Sequence, residues 1–312
     1  MTRFKHRVQY ALRLVFACLK NWRVLLEHSS SITRTRIVLR SNQLLIVDQK
    51  RQVLVRASVN TEGKREIRDN NEFLARHSHP AFPKSVQWSE DKIRVISCET
   101  LLAGRTPQAG EITHEMSVRV ISLMNDALYD RFATPANLDI GPKMDLFEKR
   151  LLGVPESFAA HIGEIRESIC SSVQNANTTA MKTLIHGDLT YRNLVLNDTS
   201  IACCDWARNE ISFPEFDMYL FVIDAATYRE PHVSFVKFFE KILDLVHGYL
   251  VIGEVEDLYR LNPKFAVNRQ IANVLPKLFL YRTLLLSLEY LKRDVKEMRE
   301  LLHRVRTGIS SI

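Results

Sequence analysis

The chain has 312 residues, 46% of them hydrophobic and 25% charged, which is enough apolar material for a full core and argues against a fibrous or disordered protein. Its net charge of +7 is concentrated: residues 1–40 hold nine Lys or Arg against one acid, Glu27, so a nucleic-acid binder with a basic face across the whole fold loses support. Five cysteines, Cys18, Cys98, Cys170, Cys203 and Cys204, form no Cys-x-x-Cys pair, which argues against structural zinc or a disulfide framework and fits a reducing cytoplasm.

Along residues 6–28, Val8, Leu12, Val15, Leu19, Trp22 and Leu26 recur at three- and four-residue steps, predicting one amphipathic helix. Arg13 and Lys20 interrupt the apolar run, so it is too short and too charged to span a bilayer, and no small-residue cleavage site follows. Two compatible readings exist. The helix packs on the strands that follow, or it lies on an anionic membrane surface with Phe16 and Trp22 inserted and its cations at headgroup level. Three strands come next, at 33–39, 43–48 and 52–59. In the third, Val53, Val55, Ala57 and Val59 face one way and Leu54, Arg56 and Ser58 the other. The Arg40-Ser41-Asn42 turn contains no glycine. A helix at 64–77 places Glu66, Asn70 and Phe73 on one face, and Pro80 and Pro83 end the segment. A strand at 92–98 then runs into Glu99-Thr100-Leu101-Leu102-Ala103-Gly104. Helices are expected at 111–132, 144–152 and 155–174, with 133–143 as an exposed loop.

From Leu184 to Asp217 the pattern changes. A strand at 183–185, a polar loop, a strand at 193–196, an Asn197-Asp198 turn and a strand at 200–204 lead to Asp205. Asp188, Asn193 and Asp205 are therefore carried on one β-loop-β-β unit and can converge. Phosphoryl transfer asks for this trio: one carboxylate beside the acceptor hydroxyl, and an amide oxygen with a second carboxylate to hold Mg2+ against nucleotide phosphates. Asp188 and Asn193 are spaced as the Asp and Asn of the protein-kinase catalytic loop are. Helices at 216–226, 232–251, 255–261, 267–291 and 295–307 complete the chain.

His186-Gly187-Asp188, Asn193, Asp205-Trp206 and, after a proline, Glu215-Phe216-Asp217 occur in order. On these motifs the chain resembles the aminoglycoside phosphotransferase and choline kinase branch of the protein-kinase-like fold, in which the loop reads H-G-D-x-x-x-x-N and D-W replaces D-F-G. The resemblance implies an α+β, two-lobed fold: a basic helix at 1–30, a small β-rich N-lobe at 31–98 and a larger, mainly helical C-lobe at 99–312. It implies Asp188 as the residue that orients and deprotonates the acceptor, and Asn193 and Asp205 as the Mg2+ ligands. Arg56, standing where the family has Lys, becomes the phosphate clamp. Glu66, with Glu72 as runner-up, becomes its helix partner. Backbone groups between Cys98 and Leu101, including Glu99 and Leu101, would meet the adenine edge. His186 packs within the loop, Asp217 braces the loop backbone, and Arg192 touches either an acceptor or a phosphate, or faces solvent.

The function implied is ATP- and Mg-dependent transfer of a phosphoryl group to a hydroxyl of a small molecule or glycan, in the cytoplasm or peripherally on the inner face of the membrane, with no nucleic-acid partner. A sugar at a membrane suits the basic N-terminus better than a polycationic aminoglycoside does. Arg56 and the missing glycine-rich loop keep open a nucleotide-binding pseudokinase or scaffold. A protein kinase is a third reading, opposed by Asp205-Trp206 and by the absence of Lys two residues after Asp188.

Overall fold

A computed structural model describes residues 2–28, 35–40, 42–137, 167, 170–171, 179–198, 200–228, 235–291 and 303. The chain forms two compact units. The first draws on Met1–Pro107, His186–Asp188 and Arg192–Asn209, and the second on Gln108–Ile185, Leu189–Tyr191 and Glu210–Ile312.

The first unit is built on a five-stranded antiparallel sheet. Its strands are β1 (Thr35–Leu39), β2 (Gln43–Asp48), β3 (Val53–Ser58), β4 (Ser85–Glu90) and β5 (Val95–Thr100), in the order β1-β2-β3-β5-β4. Alternation along β3 works as the sequence predicts, because successive side chains of a strand point to opposite faces. Val55 and Ala57 join Leu44, Ile46 and Cys98 on one face, and α1 (Thr2–Lys20) and α2 (Trp22–His28) cover it with Ala17 and Val24. The predicted single helix is thus two, joined at Asn21, whose N–H donates to the Ala17 and Cys18 carbonyls. Arg56 and Glu99 emerge on the other face, toward α3 (Thr61–Arg76). Asn60 caps α3 by accepting the Gly63 N–H at 2.8 Å. The hairpin of β8 (Leu194–Leu196) and β9 (Ile201–Cys203) also belongs to this unit. Gly104 lies at φ +135°, where a Cβ would fall 2.1 Å from the Leu196 carbonyl oxygen. This close approach lets Arg105 exchange backbone hydrogen bonds with Leu196 at 2.8 and 2.7 Å.

The second unit is mainly helical: α4 (His114–Met124), continued by a widened turn at Asn125–Tyr129, then α5 (Pro214–Tyr228), α6 (Phe235–Val246), α7 (Gly253–Leu261) and α8 (Leu275–Leu291). A short antiparallel sheet joins β6 (Thr134–Asn137), β7 (Thr179–Ile185) and β10 (Glu210–Ser212) in the order β10-β7-β6. The expected loop at 133–143 therefore begins as a strand. The expected helix at 267–291 is a 3-10 run, Pro263–Ile271, followed by α8. Pro276 explains the break, since it has no N–H to continue a preceding helix but is tolerated in a first turn. The helix expected at 144–152, and nearly all of those at 155–174 and 295–307, lie outside the described residues. Among those described, no helix is long and apolar enough to cross a membrane.

Glu215, in the first turn of α5, is fully buried, and its Oε1 accepts from the Tyr259 hydroxyl at 2.9 Å and the Asn268 amide at 2.8 Å. Asn268 also exchanges hydrogen bonds with the Met181 backbone on β7, so one side chain joins sheet, helix and carboxyl group. Burial pushes the Glu215 carboxyl up to about 7, against the pull of its two donors. A raised acid favours the folded state while protonated. Its contribution is therefore complete below the ordinary value of 4.5 and lost as pH rises through about 7. Chemical denaturation should show stability falling by roughly 3 kcal/mol across that interval. Glu215→Gln, which keeps the accepting oxygen, should flatten the profile; an unchanged slope would mean that the group titrates normally.

Candidate active site

The loops carrying the motif are tied to one another by their own polar atoms. Gly187 sits at φ +76°, a conformation open to glycine, and turns the chain immediately before Asp188. His186 is fully buried against Trp206, with ring centroids 4.3 Å apart. Its Nδ1 accepts the Asp188 N–H at 3.2 Å and its Nε2 donates to the Cys204 carbonyl at 3.1 Å. Only the Nε2–H tautomer fills both roles, and with both nitrogens engaged His186 is a strut between two loops. Asn193 donates its Nδ2 to the Asp188 carbonyl at 2.8 Å, with Asp188 Oδ2 at 3.4 Å, and its own carbonyl accepts the Cys204 N–H at 2.9 Å. Asp188, Asn193 and Asp205 are in this way held in one cluster of backbone contacts.

Trp206 explains the second motif. It is fully buried, stacked on Phe73 at 4.3 Å and 5°, and packed on Phe82. Its backbone N–H donates to Asn70 Oδ1 at 2.8 Å. An anchored indole holds the preceding residue, Asp205, at φ +70°, a left-handed conformation unfavourable for a side chain with a Cβ and retained where surroundings over-determine it.

Around Asp205 lies a network of charges. Arg40 donates to Oδ2 at 3.1 Å and Arg56 to Oδ1 at 3.5 Å. Burial alone would raise the Asp205 carboxyl, but Arg56, Arg40 and Arg208 hold it below the usual carboxylate range. Arg56 is itself buried, and its Nε donates to Glu99 Oε1 at 2.5 Å and its Nη1 to Gln43 Oε1 at 3.3 Å. Desolvation works against its charge, and Glu99 and Asp205 outweigh desolvation, so the guanidinium stays charged. Glu99 Oε2 accepts the Asn70 amide at 3.2 Å. Beside Asp205, burial pushes the Cys204 thiol up to about 12, helped by the neighbouring carboxylate, which makes it an inert thiol and not a nucleophile.

One expectation is corrected. The partner of Arg56 is Glu99, not Glu66: the α3 carboxylate accepts instead from Asn42 at 3.1 Å and Gln43 at 2.8 Å. Gln43 lies between them, so Glu66 touches Arg56 only through an amide. Glu72 pairs with Arg76 at the surface. Part of the backbone up to Leu101 is engaged in the sheet. Glu99 pairs with Leu54 and Ser85, and the Leu101 N–H donates to the Gln52 carbonyl at 2.8 Å. The Glu99 side chain and the Leu101 N–H are thus engaged within this unit. Sequence reasoning missed Arg40, Gln43, Asn70 and the role of Glu99. A signal existed for one of them: Asn70 lies on the buried face of a helix, where an amide requires partners.

The donors present suit a hard divalent cation. With Asn193 Nδ2 committed to the Asp188 carbonyl, the amide oxygen and the Asp205 carboxylate are the atoms able to coordinate, and both are oxygens of the kind Mg2+ prefers. Among the described residues no three His, Cys, Asp or Glu side chains are grouped to hold a metal, so a cation here would draw its remaining ligands from phosphate and water.

No family model matches the sequence, and no curated protein matches it either. Solved structures do. The aminoglycoside phosphotransferase APH(4)-Ia aligns over 94% of this chain and 99% of its own, with a TM-score of 0.55 at 12% identity. A thermostable mutant of that protein has been solved as a ternary complex with AMP-PNP and hygromycin B. The amicoumacin kinase hAmiN, solved with AMP-PNP and Ca2+, aligns over 93% of each chain with a TM-score of 0.60 at 10% identity. With its antiparallel sheet unit, to which the H-G-D and D-W loops belong, and its helical unit, the chain has the protein-kinase-like fold of these phosphotransferases.

Proposed function

We propose that the chain transfers the γ-phosphoryl group of ATP to a hydroxyl of a small molecule or glycan. The observation that carries this reading is the binding of the Asp188, Asn193 and Asp205 loops to one another, with the charged Arg56 against Asp205. Asp188 orients the acceptor hydroxyl and takes its proton while the new O–P bond forms and the bond from the γ-phosphorus to the ADP oxygen breaks. Asn193 Oδ1 and Asp205 would hold Mg2+, which when bound neutralises charge on the phosphates. Arg56, pinned by Glu99, keeps Asp205 in place and adds a permanent positive charge. Contact with the base falls to the Leu101 carbonyl and the residues after it. In this reading residues 31–98 clamp the nucleotide, 99–312 carry the catalytic loop and the acceptor site, and the basic helices α1 and α2 pack on the sheet.

The ligands of the two structural neighbours support the reading, as nucleotide analogues beside small molecules. Two guanidiniums on Asp205 favour a second one, a nucleotide-binding protein without turnover. Consumption of ATP γ-phosphate, screened against sugars, amino alcohols and proteins, separates them. Acceptor-dependent ADP formation that vanishes in Asp205→Asn supports the transferase, and nucleotide binding with no consumption against any acceptor supports the second reading.

The acceptor is proposed to lie at a membrane, with the N-terminal helices as the contact. Ala17, Asn21 and Val24 are buried on the sheet side, whereas Leu12, Val15, Phe16, Leu19, Trp22 and Leu26 are 53–67% exposed. Arg13 and Arg23 are exposed on the same helices, where no acid precedes Glu27. An apolar stripe flanked by cations suits an anionic lipid surface. Because the other face covers the sheet core, deleting the helices would damage the fold, and surface substitution is the better test. The full chain should co-sediment with phosphatidylserine vesicles and far less with phosphatidylcholine ones. Phe16→Ser/Leu19→Ser/Trp22→Ser should abolish pelleting at unchanged melting temperature; equal pelleting of the two proteins would refute the contact.

A further inference from the structure

Arg40 stands just after β1, where a kinase-like sheet would carry a glycine-rich loop, and it and Asn42 are held by hydrogen bonds. The Arg40 N–H donates to the Gln43 carbonyl at 2.9 Å, and the Asn42 carbonyl accepts the Val59 N–H at 2.9 Å. Asn42 Oδ1 accepts from Asn60 at 2.9 Å, and Asn42 Nδ2 donates to Glu66 at 3.1 Å. Gly63 is packed so closely that a Cβ there would lie 2.0 Å from the Asn42 oxygen. The corrected role of Glu66 is thus to pin this turn to α3. From the pinned backbone, the Arg40 side chain, 52% exposed, reaches Asp205.

The two arginines on Asp205 are not equivalent. Arg56 is 3% exposed and engaged by Glu99, Gln43 and Asp205. Arg40 is exposed and donates to one carboxylate oxygen of Asp205. A bare divalent cation at Asp205 would meet two guanidiniums on the same carboxylate and be repelled. A polyphosphate removes the conflict, since its oxygens offer Arg40 a bidentate anionic partner and free Asp205 Oδ2.

We propose that Arg40 is a phosphate-binding residue that covers Asp205 until a polyphosphate arrives, so that metal is taken up with the nucleotide and not before it. The idea rests on the phosphotransferase reading for the identity of the nucleotide, and on the geometry alone for the polyphosphate. Two affinities test it on the full chain without turnover: AMP-PNP in the presence of chelator, and Mn2+ in the absence of nucleotide, followed by its paramagnetic resonance signal. Arg40→Ala should bind AMP-PNP about tenfold more weakly and bare Mn2+ about tenfold more tightly, with Arg40→Lys between. Damage to the fold would weaken both, so the opposite signs are diagnostic, and unchanged or parallel shifts overturn the proposal. If the wild type ignores AMP-PNP but binds inorganic tripolyphosphate through Arg40, the phosphate site stands and the ATP reading falls. If ATP turnover is present and Arg40→Ala alters neither affinity, the transferase stands and this proposal falls.

Discussion

Asp188→Asn should lower turnover by about a hundred- to ten-thousandfold while nucleotide affinity stays within about threefold, because the interaction lost is with the acceptor and not with ATP. The structure makes this substitution unusually interpretable. Two contacts that hold the loop come from the Asp188 backbone: its N–H donates to His186 and its carbonyl accepts from Asn193. The contact from Asn193 to the Asp188 carboxylate, at Oδ2, is long at 3.4 Å. An isosteric amide therefore leaves the loop in place and removes the group that receives a proton. Single-turnover kinetics beside a melting curve would check both halves, and a rate within about twofold of wild type would exclude Asp188 as the proton acceptor.

Glu99→Ala should destabilise the fold by about 3–5 kcal/mol, the range for removing one member of a buried ion pair. The loss exceeds that of a surface pair because Arg56 has no route to solvent and Asn70 loses an acceptor at the same time. Asp205, at 3.5 Å, is a distant substitute for a partner at 2.5 Å. Replacing both members, Arg56→Met with Glu99→Met, should recover much of the stability while lowering nucleotide affinity. Urea denaturation of the two single variants and the double variant closes the cycle. Additive losses would show that Arg56 and Glu99 stabilise the fold independently.

These two residues also show how far the sequence was legible. Arg56 could be placed on the correct face of the third strand, because alternation with Val55 and Ala57 is a local property of a half-buried strand. Its partner could not. Glu99 reaches Arg56 from a neighbouring strand 43 positions away, and register between strands leaves no mark in local periodicity. The helix carboxylate was the obvious candidate by resemblance, but Gln43 occupies the space between. Asp188, Asn193 and Asp205 were legible because their spacing is set by short loops, and His186 because a histidine inside such a loop has few places to point. β4 was missed because five of its six residues are exposed, so nothing alternates. β6, with Pro135 in a four-residue strand, forms through pairing with β7 and not through its own propensity.

The burial of Trp206 has an optical consequence. Of the three tryptophans, Trp22 is exposed at the N-terminus, Trp88 is partly exposed on an edge strand, and Trp206 alone is sealed from water. A chain with Phe at positions 22 and 88 would carry a single blue-emitting indole one residue from Asp205, stacked on the helix that also grips Glu99. Any ligand that moves that carboxylate would disturb the emission directly, which gives the protein a spectroscopic reporter of its own without an attached dye.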